Sequence, residues 1–181
     1  FAFKHWGGLI PTPTALRPAD EEILRTIENG FQTVGELMDG VRLRAGLNEA
    51  VRLASEVNKY LDSAGPWFEI KTDKAAAGTT IYTALRCIDS LKTLLAPFLP
   101  FTCERLHQFL GYDQPLFGET YVETVSDDLG VHTVLRYRRG SASGEWKPSQ
   151  LQAGQTLRQP APLFKKLEES IVAEERARLG S

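Results

Sequence analysis

The sequence predicts a mainly α fold: an antiparallel helical bundle with a small β-hairpin insertion and a returning C-terminal helix. Three observations carry this. Apolar residues recur at spacings of three and four through much of residues 19–110, the period of one buried helical face. Clusters of Pro separate those stretches, where helices cannot continue. Finally, two alternating β-branched runs, Tyr121-Val-Glu-Thr-Val and Val131-His-Thr-Val-Leu-Arg-Tyr, flank Asp127-Asp-Leu-Gly130, a hairpin pattern.

Pro11, Pro13 and Pro18 with two threonines make a helix-incompatible entry, and Asp20, Glu21 and Glu22 favour a helix start near residue 19 through the helix dipole. Ile23, Leu24, Ile27, Phe31, Val34, Leu37 and Met38 give that helix its buried face, weakened by Gly30 and Gly35. A second helix is expected over 41–63, with Leu43, Leu47, Ala50, Val51, Ala54, Val57 and Leu61 opposite Arg42, Arg52, Glu56 and Lys59. Ala64-Gly-Pro66 ends it, since Gly suits a left-handed C-terminal residue and Pro cannot extend the ladder. A polar stretch, Lys71 to Gly78, precedes a third helix carrying Ile81, Leu85, Ile88, Leu91 and Leu95. Pro97 and Pro100 break it, and a short helix over about 101–110 follows with Phe101, Leu106, Phe109 and Leu110 inward. Beyond the hairpin, Ser141 to Gly144 reads as a link. A loose region rich in Pro and Gln then leads to a charged helix near 162–179. The organisation expected is one domain over 1–181: bundle 1–110, hairpin and loops 111–160, C-terminal helix 161–181.

With 181 residues, 42% of them hydrophobic, the chain can bury one sizeable core. A formal net charge of -2 supplies no global basic field, so any nucleic-acid contact is local. Cys87 and Cys103 lie in apolar helical surroundings without metal-ligand spacing and read as reduced, buried thiols of a cytoplasmic protein. The opening Phe1-Ala-Phe-Lys-His-Trp has no signal-peptide pattern and no initiator Met, which reads as a piece of a longer chain. No apolar run approaches the roughly 18 to 20 residues of a membrane span, so no membrane partner is expected.

No catalytic or metal-binding constellation emerges. His5, His107 and His132 are scattered, no Gly-rich phosphate loop is present, and Asp20-Glu-Glu22, Glu168-Glu169 and Glu174-Glu175 read as solvated helix charges.

The informative segment is Asn58-Lys-Tyr-Leu-Asp62-Ser-Ala-Gly-Pro66-Trp67-Phe-Glu-Ile-Lys71. Asn58 and Asp62 are four apart, on one face near a helix end. Pro66 stiffens the backbone before Trp67, with Lys59, Lys71 and Lys74 nearby in sequence. A flat ring on a rigid turn with lysines beside it can stack an unpaired base and hold phosphates. The same residues also suit plain packing, with Trp67 as a core anchor and Asn58 as a helix-to-helix hydrogen bond.

That segment, the run Leu94-Leu-Ala-Pro-Phe-Leu-Pro-Phe-Thr102 and Pro162-Leu-Phe-Lys-Lys-Leu-Glu168 together resemble the C-terminal anticodon-binding domain of methionyl-tRNA synthetase, a class I aminoacyl-tRNA synthetase. The resemblance spans nearly the whole chain, is strongest over 41–110, and is poor over 119–145, which is assigned no role. It implies that the chain recognises the CAU anticodon of methionine-accepting tRNA. It also implies an upstream Rossmann-type domain that uses ATP, with Mg, to activate methionine. By the same resemblance no catalytic residue, metal or cofactor belongs to this chain. Trp67 matches the residue that stacks on an anticodon base, Asp62 an acidic position that repels wrong tRNAs, and Asn58 a supporting polar position. Lys59, Lys71 and Lys74 are candidate phosphate contacts. The family's Asn and Arg on the first bundle helix would fall before Phe1. The alternatives are the equivalent domain of another class I synthetase or a free-standing helical module that binds a protein.

Overall fold

In the computed structural model, which describes residues 1–164, 166 and 168–179, the chain runs α1 (Ala2–His5), α2 (Pro18–Asp39), α3 (Leu43–Ala64), α4 (Pro66–Glu69), α5 (Lys74–Leu95), α6 (Pro100–Phe109), β1 (Glu119–Asp127), β2 (Gly130–Arg138) and α7 (Ser170–Leu179). The three long helices α2, α3 and α5 each pack against the other two. Ile27, Phe31 and Val34 from α2, Ala50, Leu53 and Val57 from α3, and Ala84, Cys87, Leu91 and Leu94 from α5 meet in one buried cluster. Gly30 lies inside α2 because a Cβ there would overlap Leu53 Cδ1; the residue that weakens the helix in isolation permits its close approach to α3. Among the described residues no helix is long and apolar enough to cross a membrane.

The helices agree with the expected punctuation and differ in phase and extent. The buried face of α3 is Gly46, Ala50, Leu53, Val57 and Tyr60, so Leu43 and Val51, expected inside, are exposed. Apolar residues occur over more than half of this helix's circumference, and the choice between two overlapping stripes is made by Gly46, which permits contact with Met38 and Phe98. The polar stretch before the third helix is mostly helix: Asp73 accepts bonds from the Ala75 and Ala76 N–H groups at 3.0 and 2.9 Å and starts α5 at Lys74. Pro100 occupies the first turn of α6, where its missing N–H costs nothing, and Phe101 beside it is 86% exposed instead of inward.

The hairpin is longer than expected, by two residues at each end of the first run and one at each end of the second, with Glu119 paired to Arg138 and Asp127 to Gly130. Most of its residues on both faces are solvent-exposed. The region expected to be loose is pinned. Leu9 bridges to Thr156, the Ile10 N–H donates to the Gln155 carbonyl at 2.9 Å, and Leu151 and Leu157 bury against Ile10 and Leu110. The last helix starts at Ser170, whereas 162–179 was expected. Residues 161–164 are not helical, and residues 165 and 167 of that span, like 180 and 181, lie outside the described residues. Pro160 and Pro162, with Ala161 between them, favour extended backbone at their preceding residues, which delays the helix. α7 buries none of its described residues.

A buried polar network joins the loops to the bundle. Lys92 Nζ donates to Asp89 Oδ1 at 2.7 Å, and the Tyr112 and Ser149 hydroxyls donate to Asp89 Oδ2 at 2.8 and 2.7 Å. Lys92 Nζ lies 2.9 Å from His107 Nδ1, and the His107 ring stacks on Tyr112 at 4.2 Å. An ammonium can only donate, so Nδ1 accepts and Nε2–H donates to the Gln114 carbonyl at 3.0 Å. Burial, then the Lys92 charge, pushes the His107 pKa down to about 4.

An imidazole whose folded pKa lies below its unfolded value of about 6.5 is protonated first in the unfolded chain. Its contribution to stability is complete above about pH 6.5 and is lost as pH falls toward 4. Urea unfolding is expected to lose about 2 kcal/mol between neutral pH and about pH 5 from this group. His107→Gln should flatten that slope; an identical pH dependence in the variant would remove the assignment.

Candidate nucleic-acid interface

Gly65 ends α3 in a left-handed conformation (φ 55°, ψ 48°), and its N–H donates to the Leu61 carbonyl at 2.9 Å. Pro66 follows at the first position of α4, buried. The expected rigid loop is therefore a single helical turn, because Pro at this position presets the helical φ. Trp67 and Phe68 come next and are 39% and 68% exposed, with ring centroids 6.3 Å apart in an edge-to-face arrangement.

This turn is clamped on both sides by a cluster that sequence patterns did not reveal. Asp20, expected as a solvated helix-start acid, is fully buried. Its carboxylate accepts from Arg17 Nε at 3.0 Å, from the Arg17 backbone N–H at 2.8 Å and from the Tyr60 hydroxyl at 2.6 Å. Arg17 Nη1 also reaches Glu69 Oε1 at 3.3 Å. Burial opposes the Asp20 carboxylate, yet the bonds from Arg17 and Tyr60 outweigh it and hold the carboxyl below its ordinary range. Burial and the adjacent Asp20 carboxylate raise the Tyr60 hydroxyl. Tyr60 precedes Asp62 by two residues and Glu69 follows Trp67 by two, so the start of α2 fixes both flanks of the turn. The available signal was Arg17 three residues before Asp20, which forms a capping-box geometry at a helix start.

Asn58 and Asp62 are exposed, one turn apart on α3. The three lysines are not gathered at one point. Lys71 sends its ammonium to 5.9 Å from the Phe68 ring centroid, next to the Trp67 turn. Lys74 lies 5.8 Å from the Trp6 ring centroid. Lys59 bonds Glu56 at 3.0 Å and lines a separate concavity with Arg17 and Tyr60 between α2 and α3.

Among the described residues no group of three or more His, Cys, Asp or Glu side chains could hold a metal ion. His107 Nε2 stands 3.1 Å from Ser143 Oγ, a spacing that in other settings activates a hydroxyl. Here Nε2 already carries the proton that Lys92 forces onto that side of the ring, so it cannot take one from the serine. Cys87 and Cys103 are buried, with their thiol pKa values raised by burial to about 12 and about 11, which leaves both protonated and unreactive at neutral pH.

A family model described as the anticodon binding domain of methionyl tRNA ligase matches residues 10–133. The chain is 50% identical over 181 residues to a methionine-tRNA ligase of Thermomicrobium roseum and 46% identical over 180 residues to one of Chloroflexus aurantiacus. Those alignments cover 99% of this chain but 31% and 30% of the relatives, so the chain spans about three tenths of their length. In fold it is similar to the apo crystal structure of Mycobacterium tuberculosis methionyl-tRNA synthetase, with a TM-score of 0.70 and 20% identity, covering 92% of this chain and 30% of that one. A second structure of that synthetase, bound by methionyl-adenylate, gives a TM-score of 0.68 at 20% identity, covering 91% of this chain and 29% of that one.

Proposed function

The chain belongs to the family of anticodon-binding domains of methionyl tRNA ligase, and from that premise we propose that it recognises the CAU anticodon of methionine-accepting tRNA in the cytoplasm. The observation that carries the reading is an exposed indole, Trp67, on a one-turn helix clamped through Tyr60 and Glu69 to the start of α2. A rigid ring loses little conformational freedom on binding and offers any nucleobase a flat apolar face. Lys71 stands beside the turn and balances phosphate charge locally, as a chain of net charge -2 requires. Asp62 repels RNA loops that bring phosphate or carbonyl oxygens close to the end of α3, and Asn58 supports the same face by hydrogen bonding. Lys74 and Lys59 contact phosphates further out, each at the cost of its present partner.

The rest of the longer protein carries the chemistry in this proposal: activation of methionine with ATP and Mg, and transfer to the tRNA. The methionyl-adenylate bound to the Mycobacterium synthetase supports that division.

The test is a titration of this chain and its Asp62→Ala variant with a stem-loop RNA bearing CAU and with one whose loop is changed. The unsubstituted chain is expected to prefer the CAU loop. Asp62→Ala should tighten binding of the changed loop by about three- to tenfold, the size of one relieved like-charge contact, and the CAU loop by less. Equal affinity of the chain for both loops overturns the reading, and an equal gain for both in the variant removes Asp62 from selectivity.

A further inference from the structure

We infer that Phe68 is a second nucleotide-binding ring, taking an unpaired RNA base next to the one stacked on Trp67; this rests on the anticodon-recognition reading above. Phe68 is 68% exposed and belongs to neither buried cluster, so the fold makes little use of its apolar area. It is nevertheless held in place. Gly65 lies beneath it, where a Cβ would stand 3.4 Å from Phe68 Cδ2, and the Phe68 N–H donates to the Gly65 carbonyl at 2.9 Å. The Lys71 ammonium stands 5.9 Å from the ring centroid, where it can meet the phosphate linking two nucleotides.

The relation between the two rings sets the form of the bound strand. The planes of Trp67 and Phe68 are inclined by 66°, with centroids 6.3 Å apart. Bases lying flat on both rings would be inclined to each other by the same angle and could not stack together. The surface therefore selects two adjacent nucleotides splayed out of a loop over a continuous base stack. Rigid duplex RNA, whose bases are covered by their neighbours, presents nothing to either ring.

The experiment measures the affinity of this chain for a CAU stem-loop RNA at low salt, for Phe68→Ala, Phe68→Leu, Phe68→Trp and Trp67→Ala, and repeats it with single abasic positions around the loop. Phe68→Ala is expected to bind about five- to a hundredfold more weakly, the loss of one stacked base. Phe68→Leu should recover little and Phe68→Trp most of the affinity. The abasic position that cancels the Phe68→Ala effect should differ from the one that cancels Trp67→Ala. Should Phe68→Ala melt at a lower temperature, the comparison of the Leu and Trp variants decides the matter. Full affinity in Phe68→Leu, or in Phe68→Ala while Trp67→Ala is impaired, overturns the second ring and leaves the anticodon reading standing. Absence of binding by the unsubstituted chain, or no effect of either ring, overturns both.

Discussion

Trp67→Ala should reduce the affinity of this chain for a CAU stem-loop RNA by about five- to a hundredfold, with little change in thermal stability. The first figure follows from about 1 to 3 kcal/mol per base stacked on an aromatic ring, at about 1.4 kcal/mol per factor of ten. The second follows from the ring's position: it is 39% exposed, outside both buried clusters, and the turn beneath it is held by Pro66 and by Glu69 pairing with Arg17 rather than by the indole. Trp67→Phe keeps a smaller π-face and should fall between the two. In the longer protein the same substitution should lower charging of methionine tRNA at subsaturating concentrations by a similar factor, because the lost contact acts on binding. Unaltered affinity in Trp67→Ala would show that the indole serves another purpose and would remove the main support of the proposed function.

Asp89→Ala should destabilise the chain by about 3 to 5 kcal/mol, measured by urea unfolding at neutral pH. The carboxylate accepts from Lys92, Tyr112 and Ser149, and both members of its ion pair with Lys92 are nearly fully buried. Its removal leaves a buried ammonium without its counter-charge and the Tyr112 and Ser149 hydroxyls without this acceptor. Replacing Asp89 and Lys92 together by apolar residues should cost less than Asp89→Ala alone, because the unpaired charge is gone. A double variant no more stable than the single would count against an ion-pair origin. This result bears on architecture and leaves the Trp67 turn intact, since Asp20, Tyr60 and Glu69 form a separate set.

Much of the fold was legible because helices and hairpins write themselves locally. Gly65 stands where a left-handed residue is needed, Pro100 at a first turn, and Asp127-Asp-Leu-Gly130 at a two-residue turn with Gly130 at φ 93°. Phase was harder. On α3 the apolar residues form overlapping stripes, and tertiary contact at Gly46 decides between them. The pinning of residues 151–158 was invisible for a related reason: main-chain bonds to residues 8–10 leave no mark on side-chain composition. At the candidate interface the exposed indole was anticipated from Pro66-Trp67 and the family resemblance, while its support was not. Asp20 meets Tyr60 across 40 residues of sequence and Arg17 meets Glu69 across 52, and no periodicity connects such partners. Phe68 received no role from the sequence, because only its exposure sets it apart from a packed aromatic residue.

The hairpin leaves the body of the protein at Glu119 and comes back at its partner, Arg138. Beyond that doorway most of the ribbon faces solvent on both sides, so its outer length places little demand on the helices. Natural variation can therefore lengthen, trim or restyle this arm freely, whereas one residue gained or lost between Tyr60 and Glu69 would swing the ring between them out of alignment.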